Sequence, residues 1–305
     1  MPLIFDTHAH LIADDWNAYP PRPLHPDLPV PERPDYTVTA EALVRMMDDH
    51  GVTTSCVVQR GHLYGHDNSY IIDAARRFPG RLLPVVILDL HDAATPAKLA
   101  RMARDQCVRG LRLANTRPAQ LDTSWMASPV AMRTWRTCAE LQLPVAIIFF
   151  QNQLPWTLPL LHYIARGLPT LPILIDHLGI PWGASVPELA WAREAGIDIT
   201  LPGPPDFGIE TLAPFADTPN VCFKFTEINI ERMHEHRVDP ARVLRRMVDR
   251  FGADRMMWGS DVGQSLKSPY VDKVAHAHAA AALLDAGERA AFLHGTAARI
   301  YAERR

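Results

Sequence analysis

Eight short apolar or β-branched runs punctuate this chain, at Leu3–Thr7, Ser55–Gln59, Leu82–Ile87, Gly110–Leu113, Val145–Phe150, Ile173–Asp176, Val221–Thr226 and Arg255–Gly259. Amphipathic stretches lie between them, among them Ala40–His50, Ser69–Phe78, Ala97–Gln106, Pro129–Leu141, Ala184–Ala195 and Pro240–Phe251. Strands that read as nearly continuous apolar runs are buried on both faces. Alternating with helices, they build an all-parallel sheet. Eight such units in 305 residues predict an α/β fold, a closed (β/α)8 TIM barrel, as a single domain over 1–305. An open doubly wound sheet would carry a glycine-rich first turn. Here the first turn reads Thr7-His8-Ala9-His10.

Composition narrows the function. Hydrophobic residues at 48% and charged residues at 21% describe a globular protein. A net charge of -3 with scattered basic residues gives no electrostatic grip on nucleic acid or an anionic membrane. No apolar run reaches membrane-spanning length, and Met1–Phe5 lacks a basic segment leading into an apolar one, so a cytoplasmic location is expected. Cys56, Cys107, Cys138 and Cys222 are widely spaced and read as reduced, mostly buried thiols. The 27 prolines imply many fixed turns, densest in Ala13–Asp35, directly after the first strand. A long irregular connection there lies on the active-site face of a barrel, so it reads as a lid or pocket wall, with Gln151–Trp156 as a second loop shaping the pocket. The alanine-rich pattern Val274–Tyr301 should close the outside of the barrel.

Three motifs sit at strand ends. In Asp6-Thr7-His8-Ala9-His10, side chains two apart share a face, so His8 and His10 can point together into the barrel mouth and suit a divalent metal such as zinc. Ile175-Asp176-His177-Leu178-Gly179 ends the sixth strand, where barrels keep acids, bases and ligands. Trp258-Gly259-Ser260-Asp261 ends the eighth. Asp261 there could ligate a metal, take a proton from attacking water, or both; the bland alternative is a helix N-cap.

Together these patches resemble the amidohydrolase superfamily, in its amidohydrolase-2 branch, with lactonase-like members that act on sugar lactones and pyrone dicarboxylate. The resemblance runs from Phe5 to about Tyr301. It includes Gly110-Leu111-Arg112-Leu113, Cys222-Phe223-Lys224-Phe225 and the closing Gly295-Thr296-Ala297-Ala298-Arg299. It implies that His8 and His10 are the first-strand metal pair, His177 the sixth-strand histidine and Asp261 the aspartate that activates water. One position departs: metal-binding members usually place a histidine after the fifth strand, where this chain reads Phe149-Phe150-Gln151-Asn152. His8, His10 and Asp261 still leave a workable three-ligand zinc site, and metal-independent catalysis is the other option. The superfamily also implies homo-oligomers.

For substrate, Arg60 after the second strand and Arg112 on the fourth suggest a carboxylate or hydroxyl-rich small molecule, because guanidinium forks pair bidentately with carboxylates. Each could equally form a structural ion pair, and Arg112 could point outward. His62, Tyr64 and His66 follow Arg60 in a polar, aromatic loop able to line a pocket. Glu227 is a spare acid, and Lys224 is as readily a buried ion-pair partner as a catalyst. His276 and His278 read as helix surface, and His294 as part of the terminal helix. The leading reading is a hydrolase that opens a lactone or related cyclic ester of a carboxylated or sugar-acid substrate, with Asp261 as general base. The alternative is a metal-dependent non-oxidative decarboxylase or hydratase of an aromatic or unsaturated acid. A binding protein without turnover is a third.

Overall fold

The computed structural model describes residues 3–24, 36–114, 122–149, 153–179 and 207–301. Eight strands run in chain order around a barrel: β1 (Ile4–Ala9), β2 (Val52–Val58), β3 (Leu82–Ile87), β4 (Gly110–Ala114), β5 (Val145–Ile148), β6 (Ile173–Ile175), β7 (Val221–Thr226) and β8 (Met256–Gly259). Each pairs in parallel with the next. Between β8 and β1 the ring is joined just beyond the last strand. The amide of Asp261 donates to the His8 carbonyl at 2.7 Å and that of His10 to the Val262 carbonyl at 2.8 Å. The Thr7 hydroxyl donates to the Trp258 carbonyl at 2.6 Å. The barrel expected from the alternating pattern is the fold observed.

Helices surround it: α1 (Ala40–Asp49), α2 (Ser69–Arg77), α3 (Thr95–Asp105), α4 (Pro129–Glu140), α5 (Leu154–Gly167), α6 (Glu227–Glu235), α7 (Pro240–Phe251), α8 (Tyr270–Ala280) and α9 (Thr296–Tyr301). Their starts follow from local chemistry. Ser128 and Asp239 accept from amides of the first turn, and each is followed by a proline already set for the helix. Along α7, Ala241, Val243, Leu244, Met247, Val248 and Phe251 are buried, a three-and-four spacing that lays one stripe inward. The expected helix Ala184–Ala195 lies outside the described residues, as do residues 25–35 of the proline-dense connection. Leu154–Trp156, expected in a loop, already belong to α5, whose first turn holds Pro155.

The barrel interior is layered. Phe5, Cys56, Val58, Leu83, Val85, Ala146, Leu174, Cys222 and Met257 fill its lower part, and Ala297, Ile300 and Tyr301 of α9 plug the bottom, with Tyr301 stacked on Phe5. The C-terminal tail therefore does more than cover the outside. Its helical pattern is interrupted: the helix from Tyr270 ends at Ala280, and Asp285 caps a new turn by accepting from the Glu288 amide, which redirects the chain under the barrel. Burial also holds the Cys56 thiol up at about 12 and Cys222 at about 11, so neither is a nucleophile at neutral pH.

Strand alternation extends the apolar layers into a polar one above. With Leu174 and Cys222 facing inward, so do Asp176, Lys224 and Thr226. β1 obeys this only through an irregularity. Phe5 and His8 are an odd number of residues apart and would face opposite sides of a regular strand. The pairing with β2 slips between Asp6 and Ala9, three steps on β1 against two on β2, and this turns His8 inward.

Candidate active site

Seven side chains meet in the polar layer: His8, His10, Arg112, Asp176, His177, Lys224 and Asp261, every one buried. The β1 bulge aims His8, and two glycines let its neighbours approach. A Cβ on Gly259 would sit 2.7 Å from the Cβ of His8; one on Gly263, whose φ is +88°, would sit 2.3 Å from the His10 carbonyl oxygen. His177 and Asp261 themselves have left-handed backbone, with φ of 52° and 51°. Such conformations cluster where surrounding structure holds a functional side chain in place.

Hydrogen bonds assign the protons. His10 Nδ1 lies 2.8 Å from the Val58 carbonyl, which only accepts, so Nδ1 carries the hydrogen and Nε2 presents its lone pair 3.5 Å from Asp261 Oδ1. His177 Nδ1 is 2.7 Å from Thr226 Oγ1, which donates its one hydrogen to Asn229 Oδ1 at 3.1 Å. The Asn229 amide is fixed by its own bonds to the Thr226 amide and the His177 carbonyl. Thr226 therefore accepts from His177, whose Nε2 is left as an acceptor. Burial, opposed by Asp261 and Asp176, lowers the His177 imidazole to about 4, so it is neutral at neutral pH. Burial lowers His8 and His10 well below the ordinary histidine range as well, with Lys224 and His177 adding to the effect on His8 and Arg112 and Arg60 on His10.

Two carboxylates play opposite parts. Asp176 pairs with Lys224 Nζ at 3.0 Å and with Arg112 Nε at 2.9 Å. Burial alone would raise its pKa, but the two cations outweigh burial and hold it below the usual carboxylate range. Asp261 has no hydrogen-bond donor on either oxygen, and burial raises it against the pull of His177, Lys273 and Arg112. A third carboxylate, Asp6, is structural. It accepts from the His8 amide, the Ser260 amide and hydroxyl, and the Tyr270 hydroxyl, and so locks β1 to the Asp261 turn.

His8 Nε2 lies 3.6 Å from Asp261 Oδ1, and it too has no hydrogen-bond partner. Lys224 Nζ, which only donates, lies 3.4 Å from His8 Nδ1, so Nδ1 accepts and His8 Nε2 carries the ring hydrogen, while His10 Nε2 and Asp261 Oδ1 bring buried lone pairs to the same point. The three atoms converge where a cation could replace that hydrogen. Their 3.5–3.6 Å spacings approach the roughly 3.3–3.5 Å edge between ligands about 2.0–2.1 Å from a tetrahedral zinc. Asp176 Oδ1, 3.7 Å from His8 Nδ1, would be the carboxylate behind that ligand. A second trio, His8, Asp176 and His177, is also close enough to share an ion, but its carboxylate is already shared by two cations. After β5 stands Phe149, buried against Gly179, so no imidazole reaches the site from that strand among the described residues.

The other predicted residues divide. Arg112 points inward. Arg60 is buried beside Tyr36, whose hydroxyl is 3.4 Å from its Nη1. His62 is exposed on a short helical turn, Gly61–Tyr64, while Tyr64 is buried and its hydroxyl accepts from the Ala13 amide. Lys224 is the buried ion-pair partner its apolar neighbours suggested. Glu227 is committed to His276 at 2.8 Å, so His276 is not plain helix surface. His294 packs edge-on against Phe5. Sequence reasoning passed over Thr226, Asn229 and Tyr36. The Thr226-x-x-Asn229 pair had a readable signal, because it forms the capping box that starts α6.

The amidohydrolase family model matches residues 5–302. The chain belongs to the amidohydrolase family. Within this amidohydrolase, 198 residues are 31% identical to the L-fucono-1,5-lactonase of Burkholderia ambifaria, covering 64% of this chain and 60% of that relative. Over 266 residues it is 27% identical to the 4-sulfomuconolactone hydrolase of Hydrogenophaga intermedia, covering 85% of this chain and 74% of that one. Its fold recurs in an amidohydrolase of Burkholderia multivorans solved with zinc bound, at a TM-score of 0.69 and 21% identity over 99% of this chain and 100% of that one. Among the described residues no helix is long and apolar enough to cross a membrane.

Proposed function

We propose that this amidohydrolase opens a lactone or related cyclic ester of a carboxylated or sugar-acid substrate. The observation that carries the reading is Asp261: a buried carboxylate with both oxygens free of protein donors, set among three imidazoles. Its raised pKa brings it toward the strength a general base needs near neutral pH. His177 Nε2 accepts a second hydrogen from the same water and orients it. As water attacks the carbonyl carbon, its proton passes to Asp261. When the tetrahedral intermediate collapses and the ring C–O bond breaks, Asp261 returns that proton to the leaving oxygen, and a hydroxy acid results. Lys224 and Arg112 outnumber Asp176, so they add positive potential where negative charge develops on the carbonyl oxygen.

His8, His10 and Asp261 are the residues that would hold a divalent metal, zinc by its match to two imidazoles and a carboxylate. When bound, such an ion supplies Lewis-acid polarisation and a more acidic water. Both relatives quoted by name act on lactones, which supports ring opening over loss of carbon dioxide. The test is proton release from a panel of sugar-acid and carboxylated lactones, run beside carbon dioxide release from hydroxybenzoates. Lactone turnover that falls about 10²–10⁴-fold in Asp261→Asn, with the fold retained, is expected. Unchanged lactone turnover in that variant, or turnover of hydroxybenzoates alone, would overturn the proposal.

A further inference from the structure

We infer that Arg60 and Tyr36 form a dedicated anchor for one carboxylate of the substrate, which makes the substrate a lactone bearing an acid group on the β1–β2 side of the mouth. This rests on the lactone-opening reading above and deepens it.

Arg60 is buried, at 8% exposure, yet no carboxylate lies within ion-pair distance of it among the described residues. Its Nε is buried without a hydrogen-bond partner, and among the described residues the one hydrogen bond of its side chain is the long 3.4 Å approach to the Tyr36 hydroxyl. A buried guanidinium is ordinarily paired, because taking a charge out of water costs several kcal/mol unless an opposite charge meets it. The other arginine of the mouth is ordinary in this respect, since Arg112 meets Asp176 through Nε. Among the described residues, Arg60 therefore lacks the anion that Arg112 already has.

Position ties Arg60 to the reaction. It lies two residues beyond the end of β2 and its charge acts on His10. Tyr36 donates to the Gly263 carbonyl, and Gly263 packs on the His10 backbone so closely that no side chain would fit. Arg60, Tyr36, Gly263 and His10 are thus consecutive neighbours, and an anion held by Arg60 lies beside the imidazole nearest Asp261. The Tyr36 hydroxyl gives its hydrogen to Gly263, so it keeps Arg60 in place as an acceptor and leaves the rest of the guanidinium fork to the substrate.

The experiment uses 5-oxotetrahydrofuran-2-carboxylate and its primary amide, a lactone pair that differs in the acid alone. It also uses tetrahydrofuran-2-carboxylate, which cannot be hydrolysed, as a calorimetric binding probe. Wild-type protein should favour the acid lactone in kcat/KM. In Arg60→Met that preference should fall about 10–100-fold, chiefly through KM, as expected for loss of a charge-assisted hydrogen-bonded pair. Arg60→Lys, which keeps the charge and loses the fork, should fall between them, and Tyr36→Phe should weaken the preference less than Arg60→Met. Equal losses on acid and amide in Arg60→Met would mean a merely structural arginine and overturn the anchor. If no lactone is turned over, the lactone reading fails by itself, and the binding probe still decides. Tetrahydrofuran-2-carboxylate should bind wild type at least tenfold more tightly than Arg60→Met. Equal affinity, or no binding to wild type at millimolar concentration, would overturn the inference.

Discussion

Replacing Asp176 by asparagine preserves shape and removes the anion between Lys224 and Arg112, so it isolates the electrostatics of the polar layer. At 3.0 Å and an effective dielectric constant of about 20, the attraction of Lys224 alone is worth about 5 kcal/mol before desolvation is subtracted. All three groups are buried, and breaking a buried pair from one side costs about 3–5 kcal/mol, because the remaining charges stay buried and unmatched. A chain of 305 residues unfolds with an entropy of about 0.6 kcal/mol/K, so Tm should drop by about 5–8 °C. Adding Lys224→Met to Asp176→Asn removes one stranded cation and should recover about half of the drop. The assay is calorimetric unfolding in excess chelator, which keeps bound ions from contributing to the stability of any variant. A Tm within 1 °C of wild type for Asp176→Asn would refute the reasoning. So would a double variant whose loss equals the sum of the two single losses.

Other expectations follow from the same geometry. Metal analysis of untagged protein should find about one zinc or similar ion per chain, lost in the His8→Ala/His10→Ala double variant; content far below one would argue for a site that works without metal. Thr226→Val removes the acceptor that fixes His177 and should lower kcat about tenfold with little change in KM, measured on whichever lactone is turned over. His177 has its pKa lowered from 6.5 to about 4. Between those values the unfolded chain binds a proton that the folded protein refuses. Stability is therefore full above about pH 6.5 and declines as pH falls toward about 4, by about 3 kcal/mol at most from this residue. Thermal unfolding of chelated protein from pH 7 to 4.5 should show that slope, made shallower in His177→Gln.

Much of this was legible in the linear chain because barrel strands advertise themselves as apolar runs and end at the chemistry. β3 and β7 begin and end where their residue types change, and the motifs carrying His8, His177 and Asp261 fall on β1 and at the C-terminal ends of β6 and β8 as their spacing implies. What escaped was set by tertiary partners. That Arg112 points inward depends on the register of β4, and its pairing with Asp176 spans 64 positions. The inward turn of His8 comes from a bulge that a strict two-residue alternation does not contain. Asp6 takes no role from the sequence pattern, and only its four donors show it to be a fastening. Tyr36 stands just past the proline-dense connection, where no periodicity ties it to Arg60. The protons on His10 and His177 depend on Val58 and Thr226, which no local pattern links to them.

The joint between β8 and β1 has a consequence for how the molecule is made. Thr7 and Trp258 are 251 positions apart, and Asp6 and Ser260 are 254 apart. Until those bonds form, the nascent sheet has two raw edges, each offering unpaired amides and carbonyls to any other chain. The joining contacts are also the ones that aim His8, His10 and Asp261, so an unclosed barrel has no functional centre at all. An ion gripped by those three residues would act as a clasp between the two ends of the polypeptide, favouring the closed ring over an open sheet prone to sticking to its neighbours.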